Sequence, residues 1–254
     1  MEQQLSLSSR HGIVTGAASG IGHATALHLA EMGAGLTLVD LDEEGLRSVA
    51  AQIETAGGIV PNIAVTDICD ETAVKNSVQA ACTHFGSIDF LVNCAGILRR
   101  TPFLEIETEE WDLVLSTNLR AQYILCREVL YPMKDSGRGV IVNVASLAGR
   151  TCSVLGGAHY TTAKHALVGL SRHLAREFAL HGIRVNAFCP GATLTSMVEA
   201  TTSQEELDRV AAVTPRGRWA DPMEQARVIG FLVSDCSANI VGACIDSNGG
   251  ALMV

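Results

Sequence analysis

Tyr160 and Lys164 lie four positions apart in the segment His159-Tyr-Thr-Thr-Ala-Lys-His165. On a helix, residues i and i+4 share one face, so an ammonium stands beside a phenol and favours its ionised form. A tyrosine titrating near pH ~10 needs about 4 kcal/mol of differential stabilisation to reach roughly 7, at ~1.36 kcal/mol per unit. A lysine acting with a cationic cofactor is of that order, and the pair then exchanges a proton near neutrality. An amphipathic helix on which both side chains merely snorkel has the same spacing, so the rest of the chain must decide.

Two further polar residues bear on that decision. Ser146 follows the apolar run Val140–Ala145 and can donate to a substrate oxygen. Together with Tyr160 it makes a two-donor pocket around one oxygen, although a serine at a strand end is ordinary by itself. Asn118 falls inside a long helical pattern, where an asparagine also simply bonds a neighbouring carbonyl.

A phosphate-binding turn is legible at the other end of the chain. Thr15-Gly-Ala-Ala-Ser-Gly-Ile-Gly22 follows an apolar run and leads into a helical pattern. Glycines there let backbone approach a pyrophosphate, and a helix N-terminus offers unpaired N–H groups. Gly16, Ser19, Gly20, Ile21 and Gly22 are the candidate contacts. Asp40 stands 18 positions beyond Gly22, close to the ~20 at which an acidic residue meets the adenosine ribose. With Leu41 after it and Ala17 and Ala18 before it, no cation neutralises a 2′-phosphate, so the expected cofactor is NAD. Asp40 could instead cap the helix that starts near Asp42. Asp67, with Ile68, is placed to accept from an adenine amino group or to cap the following helix. Asn93-Cys-Ala-Gly96 closes another apolar run, and Asn93, Ala95 and Gly96 let the adenosine half come close or serve tight strand-to-loop packing.

These residues need a scaffold. Short Val/Ile-rich runs alternate with longer helical patterns, which predicts a doubly wound α/β fold with a parallel sheet. Strands are expected over 11–15, 35–39, 58–65, 88–93, 140–145, 183–188 and 243–246. Helices are expected over about 21–32, 43–56, 70–85, 109–135, 158–181 and 222–234. The polar, Thr-rich stretch 191–218 follows a strand, contains a short helix near 203–213, and is the candidate lid of a single domain over 1–254.

Bulk properties limit the function classes. A formal charge of −9 argues against nucleic acid or an anionic membrane surface as a partner. With 48% hydrophobic residues, 4% aromatic and 24 glycines, the chain has an aliphatic core with close backbone approaches. Residues 1–10 contain Glu2 and no apolar stretch, and no run is long enough for a membrane span, which predicts a cytoplasmic protein. The eight cysteines are scattered without metal-site spacing, so free thiols and no metal are expected.

The glycine turn, Asn93-Cys-Ala-Gly96, Asn118, Ser146, Tyr160 and Lys164, in this order, resemble the short-chain dehydrogenase/reductase family over essentially residues 10–250. The resemblance implies a Rossmann-type sheet of seven parallel strands, a nicotinamide cofactor and a homotetramer built partly from the helices at 109–135 and 158–181. It assigns Tyr160 as general acid/base and Lys164 as phenol tuner and ligand of the nicotinamide ribose. Asn118 resembles the residue that holds a proton-relaying water. After Pro190-Gly191, Thr193 resembles the residue that holds the nicotinamide carboxamide, though a loop threonine also forms local turns. Asp246-Ser-Asn-Gly-Gly250 is similar to the family's Asp-Gly-Gly with two extra residues.

Three functions follow as expectations: a NAD-linked dehydrogenase of a small alcohol, polyol or sugar; a reductase of 3-oxoacyl thioesters, against which Asp40 weighs; and a non-catalytic NAD-sensing module, against which the four reactive residues weigh. Substrate-facing positions are expected in 97–103, 147–158 and the lid. Arg99, Arg100 and Arg150 are either anion contacts or solvated rims, and His159 either touches substrate or has no such role.

Overall fold

In the computed structural model, which describes residues 5–254, the strands are β1 (His11–Thr15), β2 (Gly35–Asp40), β3 (Asn62–Val65), β4 (Phe90–Asn93), β5 (Gly139–Val144), β6 (Ile183–Pro190) and β7 (Cys244–Ser247). All pair in parallel, in the order β3-β2-β1-β4-β5-β6-β7. Residues 1–4, which belong to the expected domain and include Glu2, lie outside the described residues. The strand order reverses between β1 and β4, where Val14 faces Val92 and Thr15 faces Asn93. An open parallel sheet places its ligand crevice beyond the carboxyl ends of the strands at such a reversal.

The helices are α1 (Gly20–Glu31), α2 (Glu43–Thr55), α3 (Glu71–Phe85), α4 (Thr108–Leu115), α5 (Ala121–Ser136), α6 (Ala158–Phe178), α7 (Ser196–Thr201), α8 (Gln204–Val213) and α9 (Pro222–Val233). Local chemistry sets their ends. Asp42 accepts from Gly45 N–H at the start of α2, and Asp70 accepts from Thr72 and Ala73 N–H at the start of α3. A capping box between Asp221 and Glu224, with Pro222 at the first helical position, opens α9. Among the described residues no helix is long and apolar enough to cross a membrane.

The core has two layers, one on each face of the sheet. Val14, Leu38, Phe90, Val92 and Val142 meet Leu29 of α1 and Ile229 and Leu232 of α9. Ile13, Val39, Leu91, Ile141 and Val185 meet Val78 of α3 and Ile124 and Val129 of α5. Phe90 and Leu91 fall in different layers, as the two-residue period of a strand requires. Phe90 is 1% exposed, and its ring fills the space that Gly12 leaves open: a Cβ at Gly12 would run into it.

The structure departs from the expected elements, or refines them, at four points. The strand expected over 58–65 begins at Asn62, because left-handed Gly57 turns the chain, Ile59 and Val60 are exposed, and Pro61 has no N–H for a ladder. The helix expected over 109–135 is present over 108–136, but a π-helical turn, Ser116–Arg120, lies within it between α4 and α5. Within the stretch 191–218 a six-residue helix, α7, precedes the expected one. Finally, neither Asp40 nor Asp67 caps a helix; Asp42 and Asp70 do so.

Phe90→Ala should lower unfolding free energy by roughly 3–5 kcal/mol, the range for deleting a fully buried aromatic ring, as measured by equilibrium urea denaturation.

Candidate active site

One cleft of about 960 Å³ lies at the carboxyl end of the sheet, across the β1–β4 reversal. Gly16, Ser19, Gly20, Ile21 and Gly22 line one part of it. Gly16 and Gly20 have φ of +66° and +56°, which favours glycine. A Cβ at Gly16 would come within 2.9 Å of the Ala95 backbone, and one at Gly22 would strike the Gly16 carbonyl. Unlike α2, α3 and α9, α1 has no side-chain cap, since the Ser19 hydroxyl makes no such bond. Its first-turn N–H groups therefore lie at the cleft without a side-chain partner, which fits a pyrophosphate.

Asp40 ends β2 at the same part of the cleft. Its carboxylate is fixed by three backbone donors: Ala18 N–H at 3.1 Å, Leu41 N–H at 2.7 Å and Asp42 N–H at 3.2 Å. Asp67 and Ile68 also line the cleft, with the Asp67 carboxylate accepting from Cys69 N–H at 2.9 Å in a local turn. Ala95 and Gly96 line it from the end of β4, whereas Asn93 does not. Asn93 is fully buried and donates to Asn143 Oδ1 at 2.8 Å, tying β4 to β5 inside the sheet. Pro190, Gly191 and Thr193 line the floor. The Thr193 hydroxyl donates to the Gly191 carbonyl and accepts from Gln225, so the local turn is present.

Ser146, Tyr160 and Lys164 come together on the opposite wall. The Ser146 oxygen accepts from Ala148 N–H at 3.1 Å, which orients the hydroxyl. Burial pushes the Tyr160 phenol up from its ordinary value, and hydrogen bonding with Ser146 pulls against it. Lys164 is 4% exposed and donates to the Val144 carbonyl at 2.9 Å. Burial lowers its ammonium to about 8. Its Nζ sits 5.7 Å from the centroid of the Tyr160 ring, over the face. In this arrangement desolvation outweighs the hydrogen bond at the phenol.

Asn118 occupies the π turn and is fully buried. It accepts from Ile97 N–H at 3.1 Å and donates to the Ile97 and Val114 carbonyls at 2.9 and 3.1 Å. Its side chain thus clamps the strand-to-loop segment after β4. Gly96 is required beside it, because a Cβ there would lie 2.5 Å from Asn118 Oδ1.

The expected substrate wall is largely present: Leu98, Leu147, Val154, Leu155 and Met197 line the cleft. Of the three arginines only Arg99 does so. Arg100 instead donates to Thr202 and Glu206 of the 191–218 segment, and Arg150 pairs with Asp246 at 2.7 Å. Sequence reasoning missed Glu109 and Asp112, which line the cleft with Leu113, Ser116 and Thr117. Their i, i+3, i+4, i+7, i+8 spacing carried that signal. His159 does not line the cleft. The Asn248 carbonyl oxygen of the side chain accepts from Gly250 N–H, and Gly249 and Gly250 take left-handed φ, which accommodates the longer Asp246–Gly250 turn.

The family model described as enoyl-(acyl carrier protein) reductase matches residues 16–251. Levodione reductase of Leifsonia aquatica is 39% identical over 247 residues, covering 94% of this chain and 92% of that protein. D-threitol dehydrogenase of Mycolicibacterium smegmatis is 37% identical over 244 residues, covering 96% and 93%. A crystal structure of a putative NAD(P)-dependent gluconate 5-dehydrogenase from Beutenbergia cavernae, with NADP bound at low occupancy, superposes with a TM-score of 0.92 at 35% identity and covers 98% of each chain. The parallel sheet, the glycine turn at its reversal and these likenesses over nearly the whole length agree: the chain belongs to the short-chain dehydrogenase/reductase family, oxidoreductases of CH–OH groups that work with a nicotinamide coenzyme.

Proposed function

We propose that this protein is a NAD-preferring dehydrogenase of a small secondary alcohol, polyol or sugar, with Tyr160 as its general acid/base. The observation that carries the reading is the convergence of Ser146, Tyr160 and Lys164 on one wall of a cleft whose other end is the uncapped α1 terminus. A bound nicotinamide coenzyme would supply the acceptor for the hydride of the carbinol carbon. Tyr160 Oη takes the hydroxyl proton, and the Ser146 hydroxyl donates to the same substrate oxygen. The buried ammonium of Lys164 and a water beside Asn118 carry the proton onward. Gly16, Ser19, Gly20, Ile21 and Gly22 hold the pyrophosphate. Asp40 and Leu41 meet the adenosine ribose, Asp67, Ile68, Ala95 and Gly96 the adenine side, and Pro190, Gly191 and Thr193 the carboxamide.

NAD is favoured over NADP because the fixed Asp40 carboxylate repels a 2′-phosphate, and the cleft's only basic side chains among the described residues are Arg99 and Lys164. A hydroxyl-rich neutral substrate is favoured because Glu109 and Asp112 accept from hydroxyls and repel anions. The 191–218 segment acts as the lid. A homotetramer is supported by Tyr123 and Tyr131, which α5 leaves exposed, and a reducing cytoplasm by eight free thiols. A 3-oxoacyl thioester reductase is the second reading, favoured by the likeness to the 3-oxoacyl-[acyl-carrier-protein] reductase of Vibrio cholerae, 34% identical over 251 residues.

Tyr160→Phe should lower turnover by roughly 10²–10⁴-fold, the usual share of a general acid/base, while NADH binding measured by fluorescence titration changes little. NADH formation on a panel of polyols, beside NAD(P)H consumption with an acetoacetyl thioester, separates the two readings. Asp40→Asn, which keeps an acceptor but drops the charge, should move the NAD/NADP ratio of kcat/KM toward NADP by roughly tenfold. Lys164 gives a pH signature. Because its folded pKa of about 8 lies below that of a free lysine, the unfolded chain holds more protons and stability rises with pH. Between pH 7 and 9 the wild-type should gain about 1 kcal/mol more than Lys164→Met in urea denaturation, at ~1.36 kcal/mol per pKa unit.

A further inference from the structure

The reactive tyrosine sits at a helix start that lacks the usual cap. Gly157 is the N-cap of α6 and has no side chain to offer, so the N–H groups of the first turn need another acceptor. Tyr160 is the third residue of that turn. Its N–H donates to Nδ1 of His159 at 2.8 Å. Accepting there fixes the tautomer, because Nδ1 then carries no proton and the ring's one proton is on Nε2. Nε2 lies 2.8 Å from Oε1 of Glu110, in α4, and donates to it. Both ring nitrogens are thereby used, and the ring is fully buried.

The surroundings are shaped to this ring. A Cβ at Gly157 would come within 2.8 Å of His159 Cε1 and 2.9 Å of the Thr101 carbonyl. The indole of Trp111 lies 6.4 Å from the imidazole, centroid to centroid. The loop carrying Thr101 is joined to the same helix start by Gly157 N–H, which donates to the Arg99 carbonyl at 2.8 Å. Glu110, His159 and the Tyr160 backbone form a chain from α4 to the residue that handles the proton.

We infer that His159, in its Nε2–H form set by Glu110, is a positioning residue: it caps α6 through the Tyr160 N–H and so fixes where the Tyr160 phenol stands. The inference rests on the reading of Tyr160 as the general acid/base. Misplacing a reacting group by ~1 Å can cost roughly 10²-fold in rate, so a contact that never touches substrate can still govern turnover.

Two substitutions divide the imidazole. His159→Asn keeps an acceptor at the δ1 position and loses the reach to Glu110. His159→Gln keeps a donor at the ε2 position and loses the acceptor for Tyr160. With the best alcohol of the panel above, His159→Gln and His159→Leu should lose roughly ten- to a hundredfold in kcat. The KM for that alcohol and NADH affinity should stay within about threefold, because His159 does not line the cleft that binds either. His159→Asn should keep kcat within about fivefold. If glutamine equals or exceeds asparagine, or all three variants turn over like wild-type, the positioning role is overturned. Should the leucine variant fail to fold, the order of the two amides still decides. Nitrogen-15 NMR of histidine-labelled wild-type protein needs no substrate and should show His159 Nδ1 unprotonated and Nε2 protonated; the opposite tautomer overturns the inference. Tyr160→Phe separates the two levels: full turnover there removes the reading beneath, whereas an inert Tyr160→Phe beside an active His159→Gln removes only the cap.

Discussion

A buried ammonium must be given partners, and the arrangement around Lys164 answers that requirement. Removed from water, Lys164 retains the Val144 carbonyl at 2.9 Å and the face of the Tyr160 ring. The Val144 carbonyl is at the end of β5, so the charge is tied to the sheet itself, at the edge where strands stop and loops begin. A Cβ at Gly96 would lie 3.6 Å from the amine and closer still to Asn118, which ties that glycine to the same constraint. Burial also makes the ammonium easier to deprotonate than a free lysine.

The second organising feature is the contrast between helices that finish their own N-termini and helices that do not. Asp42, Asp70 and Asp221 close α2, α3 and α9. The starts of α1 and α6, which border the cleft, have no N-cap side chain in place. At α1 the open terminus suits an anion. At α6 the same deficit is met from within the first turn. One geometric shortage thus has two solutions, one external to the chain and one internal.

Much of this was legible in the sequence, and the exceptions have physical reasons. β1 has its expected bounds, because Val and Ile runs between glycines leave little alternative. Gly16, Gly20, Asp40, Ser146, Tyr160 and Lys164 all line the cleft. Asn93 read as a cleft residue since it neighbours Ala95 and Gly96, but the strand's alternation turns it into the sheet toward Asn143. Arg100 and Arg150 read as loose cations because their partners, Glu206 and Asp246, are about a hundred residues away in the chain. The π turn left no mark in the periodicity; its Asn118 is held by bonds to Ile97, a contact between distant segments.

That turn constrains the chain in a further way. A π turn is a helix carrying one surplus residue, and each residue rotates a helix by about 100°. Upstream of it, Glu109, Asp112 and Leu113 look into the cleft; downstream, Ile124, Val129 and Met133 look into the core. Deleting one residue within Ser116–Arg120 would restore regular winding, yet it would swing the first group away from the cleft while the second stayed seated. Point changes along this helix alter one contact at a time, whereas a change in its length alters the phase of all of them together.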